Sequence, residues 1–274
     1  MKSINTYLHL SLGGKHMDTT QKNRLLKSLL PYKHLIEATN KKSYLLKFHH
    51  DSELSTLNQI AGNPFIDRYS SIPKDDTGID MLLLAQIDFS EIPLQQPFPL
   101  NGIVQFFVNE DFGKYHYLKQ NEQFFVRYIA QSLICNETSN SYSHTNRIAS
   151  VPIPYKFLGV LVEEPVSAFD YQFEAYFKER NQIITADERT FREIYTMAFL
   201  GADHKIGGYP YFIHEDFRSK HPQLKKYDTL LLQLVTDDEY KIGYRDSGII
   251  SFFIEEKKLL NKDFSNVYMH TEHY

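Results

Sequence analysis

Five polar residues crowd a short stretch of this chain: His204, His214, Glu215, Asp216 and Arg218, flanking the turn Gly207-Gly208-Tyr209-Pro210. Two carboxylates beside an imidazole and a guanidinium can carry out acid/base chemistry or clamp an anion. The same residue types can instead cap a turn and pair with one another, as polar residues beside a Gly-Pro turn do whatever the function, and this plainer reading is the stronger one. Gln86 and Gln233 stand in otherwise apolar runs, where each amide must be satisfied internally or by a ligand. A structural amide tying down a loop is the commoner solution. With Gly208, Tyr209 and Asp246, these residues make up the candidate ligand-binding set, and no residue is assigned a catalytic role.

Metal chemistry has two weak openings. His270 and His273 could share a helical face at i, i+3, and His49-His50-Asp51 brings three ligand types together. Histidines near a terminus are usually solvated, so neither metal nor cofactor is expected. There is no G-x-G-x-x-G, H-E-x-x-H or G-x-S-x-G, and Gly13-Gly14-Lys15 lacks the first glycine of a phosphate loop and is followed by His16. Cys135 follows Leu133-Ile134 with no adjacent base, which reads as a buried thiol.

Composition narrows the partners. A formal charge of −4 over 274 residues provides no basic footprint for a phosphate backbone, so nucleic acid is not expected. One cysteine excludes an internal disulfide and fits a reducing compartment, placing the chain in the cytoplasm. No run approaches the roughly 18 apolar residues of a spanning helix, and no membrane association is expected.

The elements that must position these residues are legible in part. Asp18 and Gln21 open a helix carrying Leu25, Leu26, Leu29 and Leu30 before Pro31. Ser167 and Asp170 start a second, with Phe169, Phe173, Tyr176 and Phe177 on one core-facing side. A third opens at Asp187, carries Phe191, Ile194, Tyr195 and Ala198, and ends at Gly201. Strands are predicted over 44–48, 81–87, 103–108, 124–130, 156–162, 230–235 and 249–254, each rich in β-branched, Leu and aromatic residues. Residues 1–17 read as an N-terminal extension, with Met17 a conceivable second start, and 18–274 as one domain.

Three pairs of segments recur at nearly one offset, with Gln86 to Gln233 at 233 − 86 = 147. Ile60 to Ile66 matches Ile206 to Phe212, Leu82 to Gln86 matches Leu230 to Gln233, and Gly102 to Val108 matches Gly248 to Ile254. Gly62 to Gly208 is 208 − 62 = 146, and Gly102 to Gly248 is 248 − 102 = 146. The expectation is an α+β fold from internal duplication of a β-rich unit: mixed or antiparallel sheets, a few peripheral helices, and pseudo-repeats at about 40–130 and 187–274 joined by a strand-helix segment.

The same residues carry a family likeness. His204-Lys-Ile-Gly-Gly-Tyr-Pro210, Glu215-Asp216-x-Arg218, Leu230-Leu-Leu-Gln233, Asp246-Ser-Gly248, Phe252-Phe-Ile254 and Asp263-Phe-Ser265, with Gly62-x-Pro64, Leu84-Ala-Gln-Ile87 and Gly102-Ile-x-Gln-Phe-Phe107, resemble the YwqG-like family of bacterial proteins from about residue 18 onward. His214 departs from the usual Gln, Phe217 from a Pro, and Ile250-Ser251 from Gly-Asn. The resemblance implies a fold without an assigned reaction and, by association with toxin systems, an immunity-type role. The expected function is therefore non-enzymatic binding of a protein partner, a toxin-like effector. The alternative is a small-ligand-binding protein or enzyme using a cleft between the repeats.

Overall fold

A computed structural model describes residues 19–50, 54–112, 120–134, 151–185, 188–245 and 247–274. In chain order the elements are helices α1 (Thr19–Leu29) and α2 (Lys33–Glu37), strands β1 (Lys41–His50), β2 (Gln59–Ile60), β3 (Leu82–Asp88), β4 (Ile103–Val108) and β5 (Phe124–Ile129), then α3 (Gln131–Ile134) and β6 (Tyr155–Glu164). There follow α4 (Phe173–Phe177), α5 (Phe191–Ala198), β7 (Lys205–Gly207), α6 (Phe217–Lys220), β8 (Thr229–Val235), β9 (Ile249–Ile254), α7 (Glu256–Leu260) and β10 (Tyr268–Glu272).

All ten strands lie in one sheet in the order β10-β9-β8-β7-β1-β6-β2-β3-β4-β5, and every neighbouring pair is antiparallel. The sheet curls until its two halves meet. Phe252 of β9 packs against Phe106 and Phe124 at 4.8 and 5.9 Å, Tyr128 stacks on Phe264 at 5.6 Å, and the Gln120 amide donates to the Phe264 carbonyl and accepts from the Val267 N–H. The end strands β5 and β10 approach without pairing, so the sheet is a nearly closed, barrel-like one.

This corrects the expected α+β fold with a duplicated unit. The chain is mostly β, and its helices are short: α2, α4 and α7 span five residues each, and α3 and α6 four. The predicted repeats do not close as units either. β1, from the first, pairs along its whole length with β6 of the joining segment and then with β7 of the second. What the matched residues share is a local arrangement rather than an autonomous sheet. The physical reason is that an apolar run reports which face of a strand is buried, and not which strand lies beside it.

Alternation along β1 sends Tyr44, Leu46 and Phe48 into the interior, where they join Phe106, Phe157, Ile206, Phe252 and others in one large core. The opposite side of the sheet carries a smaller core, in which Leu25, Leu29, Phe173, Phe177, Phe191 and Tyr195 pack with Val166 and Tyr209. Helix α5 is set by Thr190, whose hydroxyl accepts from the Glu193 N–H while Glu193 accepts from the Thr190 N–H, a reciprocal cap worth about 1 kcal/mol. The predicted cap Asp187 lies outside the described residues, as does Asp18. Of the four aromatics expected on one core face, Phe173 and Phe177 are buried, whereas Phe169 precedes α4 and Tyr176 is exposed.

Candidate functional site

The loop from Gly207 to Arg218 leaves β7 and crosses the outer face of β8 and β9. Its entry depends on two glycines in left-handed backbone, with φ +72° at Gly207 and +70° at Gly208. A Cβ on Gly208 would stand 2.0 Å from Glu164 Oε1 and 2.8 Å from Ser43 Cβ, so the close approach admits no side chain. That Glu164 oxygen accepts the Tyr209 N–H at 2.7 Å and the Lys205 ammonium at 2.8 Å. Lys205 is buried, and its charge is met by this carboxylate.

Beyond Pro210 the loop hangs on Gln233. Its Oε1 accepts the Tyr211 N–H at 2.8 Å, and its Nε2 donates to the carbonyls of Gly201 and Asp203 at 3.1 and 2.9 Å. Gln86 does the same for another loop: Oε1 accepts from the Phe65 N–H and from Gln105 Nε2, and Nε2 donates to the Leu57 carbonyl. The oxygen and the nitrogen of both amides each have a protein partner. They belong to opposite halves of the sheet, on β3 and β8, and the structure does not bring them together.

Asp216 and Arg218 meet in the interior. The Arg218 Nη2 donates to Asp216 Oδ2 at 2.7 Å and to Asp170 Oδ2 at 3.0 Å, and Nε donates to Asp216 Oδ1 at 2.9 Å. Asp216 also accepts the N–H groups of Tyr171 and Arg218, and Arg218 Nη1 donates to the Tyr227 carbonyl. All three charged side chains are at most 1% exposed. Burial pushes the Asp170 carboxyl up, opposed by Arg218, while the two carboxylates hold the guanidinium above its usual value against burial. The triad carries one surplus negative charge, a costly arrangement unless every oxygen is bonded.

The other candidates separate from it. His204 is buried against Phe48, its ring centroid 4.8 Å away, with Nδ1 accepting the Val235 N–H and Nε2 3.4 Å from Asp237. Burial lowers its pKa. Glu215 is a surface residue paired with Lys220, and His214 is exposed beside the His273 carbonyl. Asp246 lies outside the described residues. His270 sits on a strand rather than the expected helix and contacts Glu272, whereas His273 contacts Arg245. His49 and His50 alternate on β1, and Asp51, like Cys135, lies outside the described residues. Among the described residues, no three His, Cys, Asp or Glu side chains form a group that could hold a metal ion.

Over this buried framework lies a surface that the sequence does not announce. The Lys41 ammonium stands 4.4 Å from the Tyr209 ring centroid, and the Lys225 ammonium 5.1 Å from that of Tyr171, whose ring also lies 4.7 Å from the Arg218 guanidinium. Both lysines are on the exposed surface, and neither has a carboxylate at ion-pair distance among the described residues. Crowding by the protein lowers the Lys41 pKa, with Asp170 opposing. The Tyr209 hydroxyl is tied to the Thr39 carbonyl at 2.7 Å, which fixes its ring. No sequence spacing could have found this patch, because residues 41, 171, 209 and 225 are joined only by the fold.

The sequence matches, over residues 58–272, the family described as a domain of unknown function (DUF1963), and the chain belongs to that family. No curated protein matches the chain.

Proposed function

We propose that this member of the family is a non-catalytic binding protein that docks another protein on the surface carrying Lys41 and Lys225, whose ammonium groups are backed by the buried Tyr209 ring and by the Tyr171 ring. The observation that carries the reading is the pairing of two exposed ammonium groups with aromatic rings, neither ammonium having a carboxylate at ion-pair distance among the described residues. Tyrosine rings beside cations are the chemistry of interface hot spots, and an ammonium with no carboxylate at ion-pair distance favours an anionic partner. The partner side of the contact is accordingly acidic. Beneath the patch, Asp170, Asp216 and Arg218 are committed to one another, which leaves them as its support rather than its reagents. A ligand or substrate held between Gln86 and Gln233 draws no support, since each amide is spent on a different loop.

The finer assignment, to the YwqG-like proteins, rests on the motif series from Gly62 to Ser265, and with it comes the immunity-type role in which the docked protein is a toxin-like effector. A cytoplasmic setting and the exclusion of nucleic acid and membrane partners are part of the same reading, supported by the single cysteine and the charge of −4, and by the lack, among the described residues, of any helix long and apolar enough to cross a membrane.

The test is affinity capture under crosslinking from native lysate with the wild type and with a Lys41→Glu/Lys225→Glu variant, folding of both being verified by circular dichroism. A protein enriched by the wild type and lost on charge reversal supports the proposal. No enrichment, or enrichment indifferent to both lysines, overturns it.

A further inference from the structure

Strand β6 has an edge that, among the described residues, no strand pairs beyond Phe157, and it lies in the middle of the sheet. β1 pairs with all ten of its residues, Lys41 with Glu164 through His50 with Tyr155, but on the other side β2 reaches only Tyr155 and Lys156. One further bond, from the Phe157 N–H to the Asn58 carbonyl, closes that side. This bond also fixes orientation: the N–H of Phe157 points away from β1, so by the two-residue period those of Gly159, Leu161 and Glu163 do as well, together with their carbonyls. Among the described residues none of these groups has a backbone partner. The side chains around them are apolar and open, Leu158 at 41%, Val160 at 37% and Leu161 at 41% exposure. The edge is nonetheless firmly backed, since a Cβ at Gly159 would lie 2.6 Å from Ile92 Cγ2.

An apolar edge with unpaired backbone groups is a template for another strand, and proteins normally blunt such edges with lysine, proline or a covering segment. Here the open stretch carries one charge, Glu163, and no proline before Pro165. We infer that the edge of β6 from Gly159 to Glu163 pairs with the same edge of a second copy of this chain, antiparallel and centred on Leu161.

The self-complementary register of this stretch selects a second copy as the occupant. About a twofold axis at Leu161, residue 161 faces 161, 159 faces 163 and 160 faces 162 of the other copy. Each Glu163 then stands opposite a glycine, not another carboxylate, and like charges directly across an edge are avoided. Glu164, opposite Leu158, is already neutralised by Lys205. On the outer face Val160 meets Val162, a favourable β-branched pair, and the facing pairs 161–161, 159–163 and 163–159 each exchange two backbone hydrogen bonds. The contact is isologous, so it closes as a dimer rather than growing into a fibre.

Leu161→Pro tests this with little disturbance to the fold, because the N–H it removes points away from β1 and edge positions tolerate proline. The full chain is examined by sedimentation velocity from about 1 to 200 µM, a span that covers micromolar affinities. Amide hydrogen exchange at Gly159, Leu161 and Glu163 is followed across the same range. The expected result is a concentration-dependent dimer whose protection at those three amides rises with concentration, and at least about tenfold weaker association for Leu161→Pro. A monomer throughout, a dimer whose three amides still exchange freely, or a folded Leu161→Pro variant that dimerises as the wild type does would each overturn the inference. If Leu161→Pro does not fold, the exchange pattern of the wild type decides.

Discussion

Arg218 and Asp170, 48 positions apart, meet at 3.0 Å in the protein interior and tie the segment ahead of α4 to the loop that carries Asp216. The contact explains why a loop that reads as chemically equipped is equipped for staying in place. Its guanidinium makes a fork to one carboxylate, a single bond to another and a third contact to the Tyr227 carbonyl.

Removing the cation should therefore be severe. Arg218→Met leaves two buried carboxylates without their common partner, and we expect a loss of about 3–5 kcal/mol in urea unfolding. Arg218→Lys keeps the charge but loses the fork, and should fall between this variant and the wild type. A loss below about 1 kcal/mol for Arg218→Met would contradict the reading of a fully desolvated triad.

Gln233 makes a second, independent prediction. Gln233→Ala strands the Tyr211 N–H and two carbonyls in a buried setting, at a cost of about 1–3 kcal/mol. It should also accelerate hydrogen exchange at Tyr211, whose amide has Gln233 Oε1 as its acceptor. Gln86→Ala should do the same at Phe65 and leave Tyr211 unaffected, since the two amides serve different loops. Acceleration at both sites by either substitution would show that the loops are coupled, against the structure.

Two adjacent residues, Asp203 and His204, contribute to the pH dependence of stability with opposite signs. Burial raises the Asp203 carboxyl to about 6, with Lys205 opposing and Glu164 reinforcing. Between its ordinary value and that point the native state holds more protons than the unfolded chain, so this group's contribution falls as pH rises through the window. Burial lowers His204 instead; the unfolded chain then binds the extra proton, and stability is lost as pH falls below the usual histidine range. Asp203→Asn removes only the first effect. It should stabilise the protein at pH 8 by on the order of 1 kcal/mol and steepen the loss of stability between pH 6 and 4, measured by thermal unfolding across that range. An unchanged pH profile would mean that the Asp203 carboxyl is as solvated as in the unfolded chain.

Much of the framework was written locally. The predicted strands at 103–108 and 249–254 coincide with β4 and β9, and the seven predicted runs each fall on a strand, because a buried run of β-branched and aromatic residues bounded by turn formers has few other uses. Helix α5 was visible from Phe191, Ile194 and Tyr195, although its cap is Thr190. The charge, the lone cysteine and the positions needing glycine at Gly207 and Gly208 are likewise properties of the sequence. Strands β2 and β7 escaped, since two and three residues hold no period, and β10 escaped because Tyr268 to Glu272 is mostly polar. Only the tertiary structure decided that β1 runs between β6 and β7, that one sheet replaces two units, that Lys205 meets Glu164, and that Lys41 and Lys225 stand over the rings of Tyr209 and Tyr171. Periodicity fixes which face of a strand is buried, whereas neighbours across the sheet are chosen by packing between segments far apart in the chain, and the candidate site is made entirely of such neighbours.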